Sequence, residues 1–151
     1  MKVVHLVLSE DFAGIEQHVD ELLSNLKDLS ITLICNKSIA SHFNQNISIH
    51  EIDNMSRRSF FKKYKLKRLL KTINPDIVHT HGSKTASIIS SINKGAFKHV
   101  ATVHGVKKNK IVYESADYVI GVSDHVLDGI KTKSKVITNW WFPELKKLSS
   151  K

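Results

Sequence analysis

Residues 74–82 read Asn-Pro-Asp-Ile-Val-His-Thr-His-Gly, and this stretch decides which fold the chain adopts. The Asn74-Pro75 pair ends the helical segment before it, because proline cannot continue a helix. The short apolar run that follows predicts a buried strand over residues 77–79. Gly82 then allows a sharp turn before the next helical segment. The stretch therefore reads as one strand-to-helix unit of an alternating α/β chain.

The same alternation extends from this stretch in both directions. Upstream, we expect strands at residues 3–8, 31–35 and 47–52, a helix opening at Gly14, a possible short helix at 38–43 and a basic helix over 58–73. Downstream, we expect strands at residues 99–103, 118–122 and 136–138 and helices at 83–92 and 124–130. Such alternation predicts right-handed crossovers and a mostly parallel sheet covered on both faces. The predicted fold class is a Rossmann-like three-layer α/β/α sandwich.

The composition is that of one globular domain. The chain has 151 residues, of which 41% are hydrophobic and 25% charged, both ordinary for a soluble protein. Its single cysteine, Cys35, lies in an apolar run, which indicates a buried thiol in a reducing compartment. The apolar run at residues 3–8 is too short for a signal peptide or a membrane span. We therefore expect a protein in the cytoplasm or at the cytoplasmic face of a membrane.

The charge balance favours partners that carry phosphate. The chain has 23 Lys and Arg against 14 Asp and Glu, a formal net charge of +9. Such an excess suits nucleotides, anionic lipids and nucleic acids alike. Eight of the basic residues, and no acidic one, fall within residues 57–71. The location of the charge therefore directs attention to the basic helix.

The basic helix has two distinct predicted faces. Leu66, Leu69, Leu70 and Ile73 cluster on one side, which we expect to face the core. The other side carries aromatic rings among cations: Phe60, Phe61, Tyr64, Lys67, Arg68 and Lys71. Since an anionic membrane interface selects this combination, we predict that these residues bind membrane. Two alternatives stay open: the phenylalanines fold into the core beside a merely solvated basic face, or the patch binds nucleic acid, which no cleft motif supports.

The ligand crevice of a parallel sheet lies beyond the carboxyl ends of its strands. The loops expected there are residues 9–14, 80–84, 104–110 and 123–124. The sequence has no Gly-x-Gly-x-x-Gly after the first strand and no P-loop pattern, which argues against a dinucleotide oxidoreductase or a P-loop nucleotide hydrolase. Gly14 opens the first helix, whose free backbone N–H groups suit an anion. A simple loop-to-helix turn is the alternative interpretation.

Three histidines fall on or beside the predicted strand ends. His79 and His81 share one face of an extended segment, and we expect His79 to be structural, held by a backbone hydrogen bond. His81 and His104 each precede a glycine, where the ring can project into the crevice and donate, accept or carry a proton. A three-histidine metal site is the rival interpretation. Because no carboxylate has obvious ligand spacing, we predict no metal.

Five segments in order resemble the glycosyltransferases of family 4, which have the GT-B fold. Residues 13–19 (Ala-Gly-Ile-Glu-Gln-His-Val) resemble its Gly-Gly-x-Glu-x-x-Val segment, and residues 74–82 its Pro-Asp-hydrophobic-hydrophobic-His-x-His segment. Residues 101–105 (Ala-Thr-Val-His-Gly) resemble its Thr-x-His-Gly strand end. Residues 116–123 and 136–139 resemble its Ala-Asp-x-hydrophobic-x-x-x-Ser strand and its Val-Ile-Pro-Asn segment. The resemblance covers residues 3 to about 139.

The resemblance implies one half of a two-domain GT-B enzyme. Residues 1–139 would be the N-terminal, acceptor-side domain and residues 140–151 an interdomain linker or tail, with the C-terminal donor-binding domain absent. It implies retaining transfer of a sugar from a nucleotide-sugar donor, without a metal or other cofactor, to a glycan or lipid-linked acceptor in cell-surface polysaccharide or glycolipid synthesis. It assigns catalysis to His104 and substrate binding to Gly14, Glu16, His81, Gly82, Gly105 and Ser123. We expect this chain alone to be inactive.

The chain also departs from the family pattern. Ala13 replaces the first glycine of the usual pair, which restricts φ and could weaken close approach to phosphate. Trp140-Trp141-Phe142-Pro143 follows Asn139 where the family continues Gly-hydrophobic-Asp, and we expect this cluster to pack on the domain or on a missing partner. The family's two donor-site glutamates, eight positions apart, do not occur.

Two other functions therefore stay open. One is a non-catalytic acceptor- or membrane-docking subunit of a split transferase. The other is half of a different GT-B enzyme, such as a sugar-nucleotide epimerase.

Overall fold

The computed structural model of the chain describes residues 1–44, 46–92 and 95–138. These residues form a seven-stranded sheet in which every neighbouring pair of strands is parallel. The strands are β1 (Lys2–Val7), β2 (Ser30–Asn36), β3 (Ser48–Ile52), β4 (Ile77–His81), β5 (Lys98–Val103), β6 (Tyr118–Gly121) and β7 (Ser134–Val136). They lie in the order β3-β2-β1-β4-β5-β6-β7. The Rossmann-like α/β fold expected from the sequence is confirmed.

Helices cover both faces of the sheet. They are α1 (Gly14–Asn25), α2 (Phe60–Ile73), α3 (Ser83–Ile92) and α4 (Asp124–Leu127), with single 3₁₀ turns at Ala40–His42 and Ile111–Tyr113. Alternate residues of a strand point to opposite faces. On β1, Val7 packs with Val19 of α1, whereas Leu6 packs with Leu66 of α2 and Ile88 of α3. The sheet is therefore the middle layer of three.

The order of the strands places a crevice between β1 and β4. From β1 the chain proceeds outward to β2 and β3, then crosses back to β4 on the other side of β1. Parallel sheets open at such a switch point, because the connections on either side leave in opposite directions. The loops that follow β1 and β4 are therefore the walls of the crevice.

Several element boundaries differ from those expected. The strand expected at residues 77–79 continues to His81, because Thr80 and His81 keep pairing with β5. The last strand lies two residues earlier than expected, at Ser134–Val136, where its register with β6 is set. The helix expected at 124–130 ends at Leu127, shortly before Gly129, which adopts a φ of 77°. The 3₁₀ turn at Ile111–Tyr113, which buries Tyr113 completely, was not predicted.

The basic helix begins two residues later than expected. A hydrogen-bonded turn precedes it, in which Ser59 N donates to Ser56 O at 3.1 Å and Ser56 N donates to Ser59 Oγ at 3.1 Å. Its apolar face packs on the core as expected, through Leu66 and Leu70 with Leu69 and Ile73 beside them. This turn leads directly into α2, because Ser59 is the residue that precedes the helix.

Three further expectations can be compared with the structure. Cys35 is fully buried, as expected, and burial with the nearby Glu51 raises the pKa of its thiol to about 12. The described helices include none with the length and apolar character needed to cross a bilayer. Asn139 and the Trp140-Trp141-Phe142-Pro143 cluster lie outside the described residues, so the predicted boundary between domain and linker stays a prediction.

Candidate active site

A cleft of ≈ 480 Å³ opens where β1, β4 and β5 end. Three of the four loops expected at this edge supply its walls. The lining residues are Leu8, Ser9, Glu10 and Ile15 after β1, His81, Gly82, Ser83, Lys84 and Thr85 after β4, and His104, Gly105, Lys107 and Tyr113 after β5. The fold thus brings together four predicted site residues: His81, Gly82, His104 and Gly105.

A second cavity of ≈ 570 Å³ adjoins the cleft at the start of α1. It is lined by Ser9, Glu10, Asp11, Ala13, Gly14, Ile15, Glu16 and His104. A Cβ added at Gly14 would meet no atom within 4 Å, so the backbone here is open to a ligand. Because His104 lines both cavities, its ring stands where a ligand at the α1 terminus would meet a ligand in the cleft.

The Glu16 carboxylate forms hydrogen bonds with the loop that precedes α1. Its side chain is only 2% exposed. One carboxylate oxygen accepts the Ala13 N–H at 3.0 Å, and the other accepts the Ser9 hydroxyl. The carboxylate therefore closes the loop that precedes α1, as the third helical residue does in a capping box. Its predicted role in binding substrate stays a prediction.

Ala13 costs the loop no strain. Its φ of −136° and ψ of −157° are extended values that any residue adopts. The backbone conformation at this position is therefore one that alanine adopts freely.

The structure supports the expected turn at Gly82 but does not place Ser123 in either cavity. Gly82 adopts a φ of +86° where β4 turns into α3, which confirms the expected sharp turn and favours glycine. Ser123 precedes α4 and is not among the described residues that line either cavity. Its predicted role in the cleft has no support from this geometry.

Three histidines form a hydrogen-bonded row, here called the histidine row, from the sheet interior to the cleft. His5 Nδ1 lies 3.1 Å from His81 Nε2, and His81 Nδ1 lies 3.2 Å from His104 Nε2. His79 stands beside the row, with Nε2 2.7 Å from the Thr102 hydroxyl. His79 is therefore held by a hydrogen bond, in keeping with the structural role expected for it. The partner is a side chain, so the expectation of a backbone hydrogen bond is wrong.

Burial keeps the histidine row neutral. Burial, the larger cause, and the nearby His18 together lower the pKa of His5 and of His104 to about 4 in each case. Burial also lowers the pKa of His81 well below its ordinary value, and its histidine neighbours act in the same direction. At neutral pH each ring therefore carries a single N–H.

The two hydrogen bonds of the histidine row can be oriented in only two ways, because each neutral ring has one N–H to donate. In the outward direction His5 donates to His81 and His81 donates to His104, which leaves His104 Nδ1–H for the cleft. In the inward direction every bond reverses, and His5 Nε2–H is buried without an acceptor, because that atom has no partner among the described residues. Since a buried N–H without a partner is costly and rare, we expect the outward direction. His104 would then donate a hydrogen bond to its ligand.

The same rings could also reach one metal ion. Donor nitrogens of His5, His79 and His81 all lie within 4.8 Å of one another, and neutral imidazoles are good zinc ligands. Both nitrogens of His81 and the Nε2 of His79 already make hydrogen bonds, so coordination would break part of the network. The expectation of no metal stays a prediction.

The family of the chain follows from its match to a known sequence profile. That profile, Glycosyltransferase Family 4, matches residues 12–139. The chain belongs to glycosyltransferase family 4. An uncharacterized glycosyltransferase of Methanocaldococcus jannaschii is 24% identical over 149 residues, which cover 83% of this chain and 42% of that protein.

Solved structures similar to this family 4 chain share its fold. The lipopolysaccharide outer core galactosyltransferase WaaB aligns with a TM-score of 0.67 at 18% identity, over 83% of this chain and 40% of WaaB. A glycosyltransferase of Rickettsia africae aligns with a TM-score of 0.63 at 20% identity, over 91% and 42% of the two chains. MurG of Acinetobacter baumannii gives 0.65 at 12% identity, over 95% and 46%. The chain thus has the fold of the N-terminal half of a GT-B enzyme and spans about two fifths of these relatives.

Four residues of this candidate site were not singled out from the sequence, although Lys84 lies in a loop that was expected at the crevice. His5 belongs to the histidine row, and His18 of α1 lies with its ring centroid 5.2 Å from that of His104. Lys84 and Tyr113 line the cleft. His5 carried a usable signal, because β1 flanks the switch point and His5 alternates with the core residues Val4 and Leu6. The other three depend on packing that sequence periodicity does not reveal.

Proposed function

We propose that the chain is the acceptor-side half of a glycosyltransferase that moves a sugar from a nucleotide-sugar to a glycan or lipid-linked acceptor of the cell surface. The observation that carries the proposal is the position of His104 at the junction of two cavities. Membership of family 4 supports the reaction class. The donor domain would complete the site from outside this chain.

The geometry suggests how the two substrates would be divided. The open start of α1 presents backbone N–H groups and the positive end of a helix dipole, which suit the donor phosphates. The cleft after β4 and β5 would hold the acceptor. In the outward direction of the histidine row, His104 Nδ1–H would donate to an oxygen of the transferred sugar as charge develops there. Such donors contribute about 100-fold or more to rate when they are positioned in advance.

The test uses the native enzyme recovered from its source cells with an antibody raised against this chain. The recovered material is supplied with radiolabelled nucleotide-sugars and a membrane extract of the same cells. The proposal predicts label in a glycan or lipid product. Label released as free or isomerised sugar would instead favour the epimerase alternative, and no turnover in material that still binds the acceptor would favour a docking subunit.

Peripheral membrane binding is a second proposed function, favoured by the surface of α2. Phe60, Phe61 and Tyr64 are 75%, 80% and 57% exposed, and Lys67, Arg68 and Lys71 are exposed on the same helix. The alternative in which the phenylalanines fold into the core is therefore wrong. Large exposed rings among cations suit an anionic bilayer surface. We propose that α2 holds the enzyme at the cytoplasmic face of the membrane, where lipid-linked acceptors would be available.

A further inference from the structure

A group of cations lies beside the cleft, in what we call the basic cavity. This open space of ≈ 570 Å³ is lined by Asn54, Met55, Ser56, Arg57, Arg58 and Lys84. It lies at the ligand edge of the sheet, between the loop before α2 and the start of α3. Lys84 also lines the cleft that contains His104. The basic cavity therefore adjoins the candidate active site, with Lys84 as the shared wall.

Hydrogen bonds to neutral groups hold its two central cations in place. Lys84 Nζ donates to the Leu8 carbonyl at 3.0 Å and to Asn54 Oδ1 at 2.6 Å. Arg57 Nη2 donates to the Ser83 hydroxyl at 3.1 Å. Lysine has three N–H donors and arginine five, so both side chains keep donors for a ligand. The contacts fix the positions of the charges without cancelling them.

The charge balance of the basic cavity favours an anion. The ion pairs among the described residues are Lys37–Asp53, Lys98–Asp117 and His125–Asp128, and none includes a cation of the cavity. Burial lowers the pKa of Lys84, the nearby Glu10 opposes this effect, and the positive charge of Arg57 adds a smaller effect in the same direction as burial. Glu10 already accepts a hydrogen bond from Asn54. A bound anion would relieve the repulsion between Arg57 and Lys84.

We propose that the basic cavity binds the phosphate or diphosphate that joins an acceptor sugar to its lipid. The planar fork of Arg57 and the compact charge of Lys84 are both suited to phosphate oxygens. We assign a lipid-linked acceptor because of the two features that adjoin the basic cavity. One is the cleft that contains His104. The other is the exposed side chain of Phe60, which follows Arg57 by three residues. The inference rests on the proposed transferase function and names its acceptor class.

The test measures the binding of inorganic pyrophosphate to the ¹⁵N-labelled chain through its amide chemical shifts. We expect the shifts to centre on Arg57, Ser83 and Lys84. Arg57→Gln and Lys84→Gln should each weaken binding about tenfold, the effect of losing one charge-assisted contact. The matched control, Lys131→Gln, removes an exposed cation beyond α4, far along the sheet, and should bind as the native chain does.

Two results would overturn the phosphate site. Equal weakening in all three variants would mean general charge attraction, and shifts confined to the Gly14 loop would place the anion at α1. Thermal unfolding of each variant guards against misfolding. If Lys84→Gln fails to fold, Arg57→Gln decides the question, because Arg57 is exposed and its replacement leaves the core intact.

Two organic ligands distinguish a lipid-linked phosphate from the phosphate of a nucleotide donor. We expect farnesyl diphosphate binding to depend on Arg57 and Lys84, and uridine diphosphate binding to be independent of them. The reverse result would assign the cavity to the donor and overturn the lipid-linked class. If native sugar transfer requires His104 while pyrophosphate binding ignores Arg57, the phosphate site alone is wrong. Transfer that does not require His104 would instead reject the proposed function.

Discussion

His81 Nδ1 lies 3.2 Å from His104 Nε2, and this contact ties the ring in the cleft to the interior of the sheet. His81 in turn reaches His5 on the neighbouring strand. The proton position on a fully buried ring therefore affects which hydrogen-bonding group His104 offers to a ligand. A residue that touches no ligand can in this way set the chemistry of one that does.

The direction of the histidine row can be read from its tautomers. We predict that His104 carries its proton on Nδ1 and that His5 does the same, because the inward direction buries an unpaired N–H. Ring ¹⁵N shifts of the histidine-labelled chain measure this directly. In His5→Phe, which keeps a ring but removes both nitrogens, His104 should keep its proton on Nδ1, because the inward direction would leave the buried His81 Nε2–H without an acceptor. A native His104 protonated on Nε2 would show the inward direction.

Acid should destabilise the fold through its buried histidines. The pKa of His5 is about 4 in the folded chain against an ordinary 6.5, so between these values the unfolded chain binds more protons. Stability is therefore full above about pH 6.5 and falls as the pH is lowered towards 4, with His5 contributing about 3 kcal/mol to the loss.

Urea unfolding at a series of pH values measures this contribution. The slope between pH 6.5 and 4 should be shallower in His5→Phe and unchanged in His125→Ala, since the side chain of His125 is 86% exposed. Equal slopes in His5→Phe and the native chain would contradict the prediction.

Two glycines of the cleft should respond differently to alanine. Gly82→Ala places a side chain at a φ of +86° and should cost about 1–2 kcal/mol of stability. At Gly105 a Cβ would meet nothing within 4 Å, so Gly105→Ala should change the free energy of unfolding by less than about 0.5 kcal/mol. Denaturant titration compares the two, and a larger loss in Gly105→Ala would refute this assignment of strain.

Most of the fold could be predicted from the sequence, because burial on both faces gives parallel strands continuous apolar runs. All seven strands fall near their expected positions. The errors lie at the ends of the strands and helices, where hydrogen bonding to neighbouring elements sets the boundary. His81, for example, was expected after the strand but continues β4 by pairing with β5. Ile111–Tyr113 was missed because a single buried turn has no periodicity that a sequence pattern could reveal.

The candidate site could be predicted only in part. His81 and His104 precede glycines at strand ends, so their sequence context pointed to the cleft. The contacts of the Glu16 carboxylate with the loop before α1 could not be predicted, because they depend on local geometry. Arg57 and Lys84 come together only through tertiary packing of the α2 and α3 loops, so no sequence spacing could pair them.

Membrane binding should depend on the cations of α2. Replacing Lys67, Arg68 and Lys71 together with Gln should weaken binding to phosphatidylserine-containing vesicles about 100-fold, since each cation contributes about 1 kcal/mol. Vesicle co-sedimentation at low salt measures the effect. The control replaces Lys131, Lys133 and Lys135, three exposed cations in and just before the edge strand β7. Similar losses in both triple variants would argue against a specific membrane face.

The most direct test of the proposed function compares sugar transfer by the native enzyme with that of His104→Ala. Both forms are recovered from source cells and supplied with the nucleotide-sugar that the native enzyme uses. The proposed role of His104 predicts a loss of about 100-fold or more in transfer rate, with His125→Ala fully active. Transfer by His104→Ala at the native rate would contradict the account of this cleft as the reacting site.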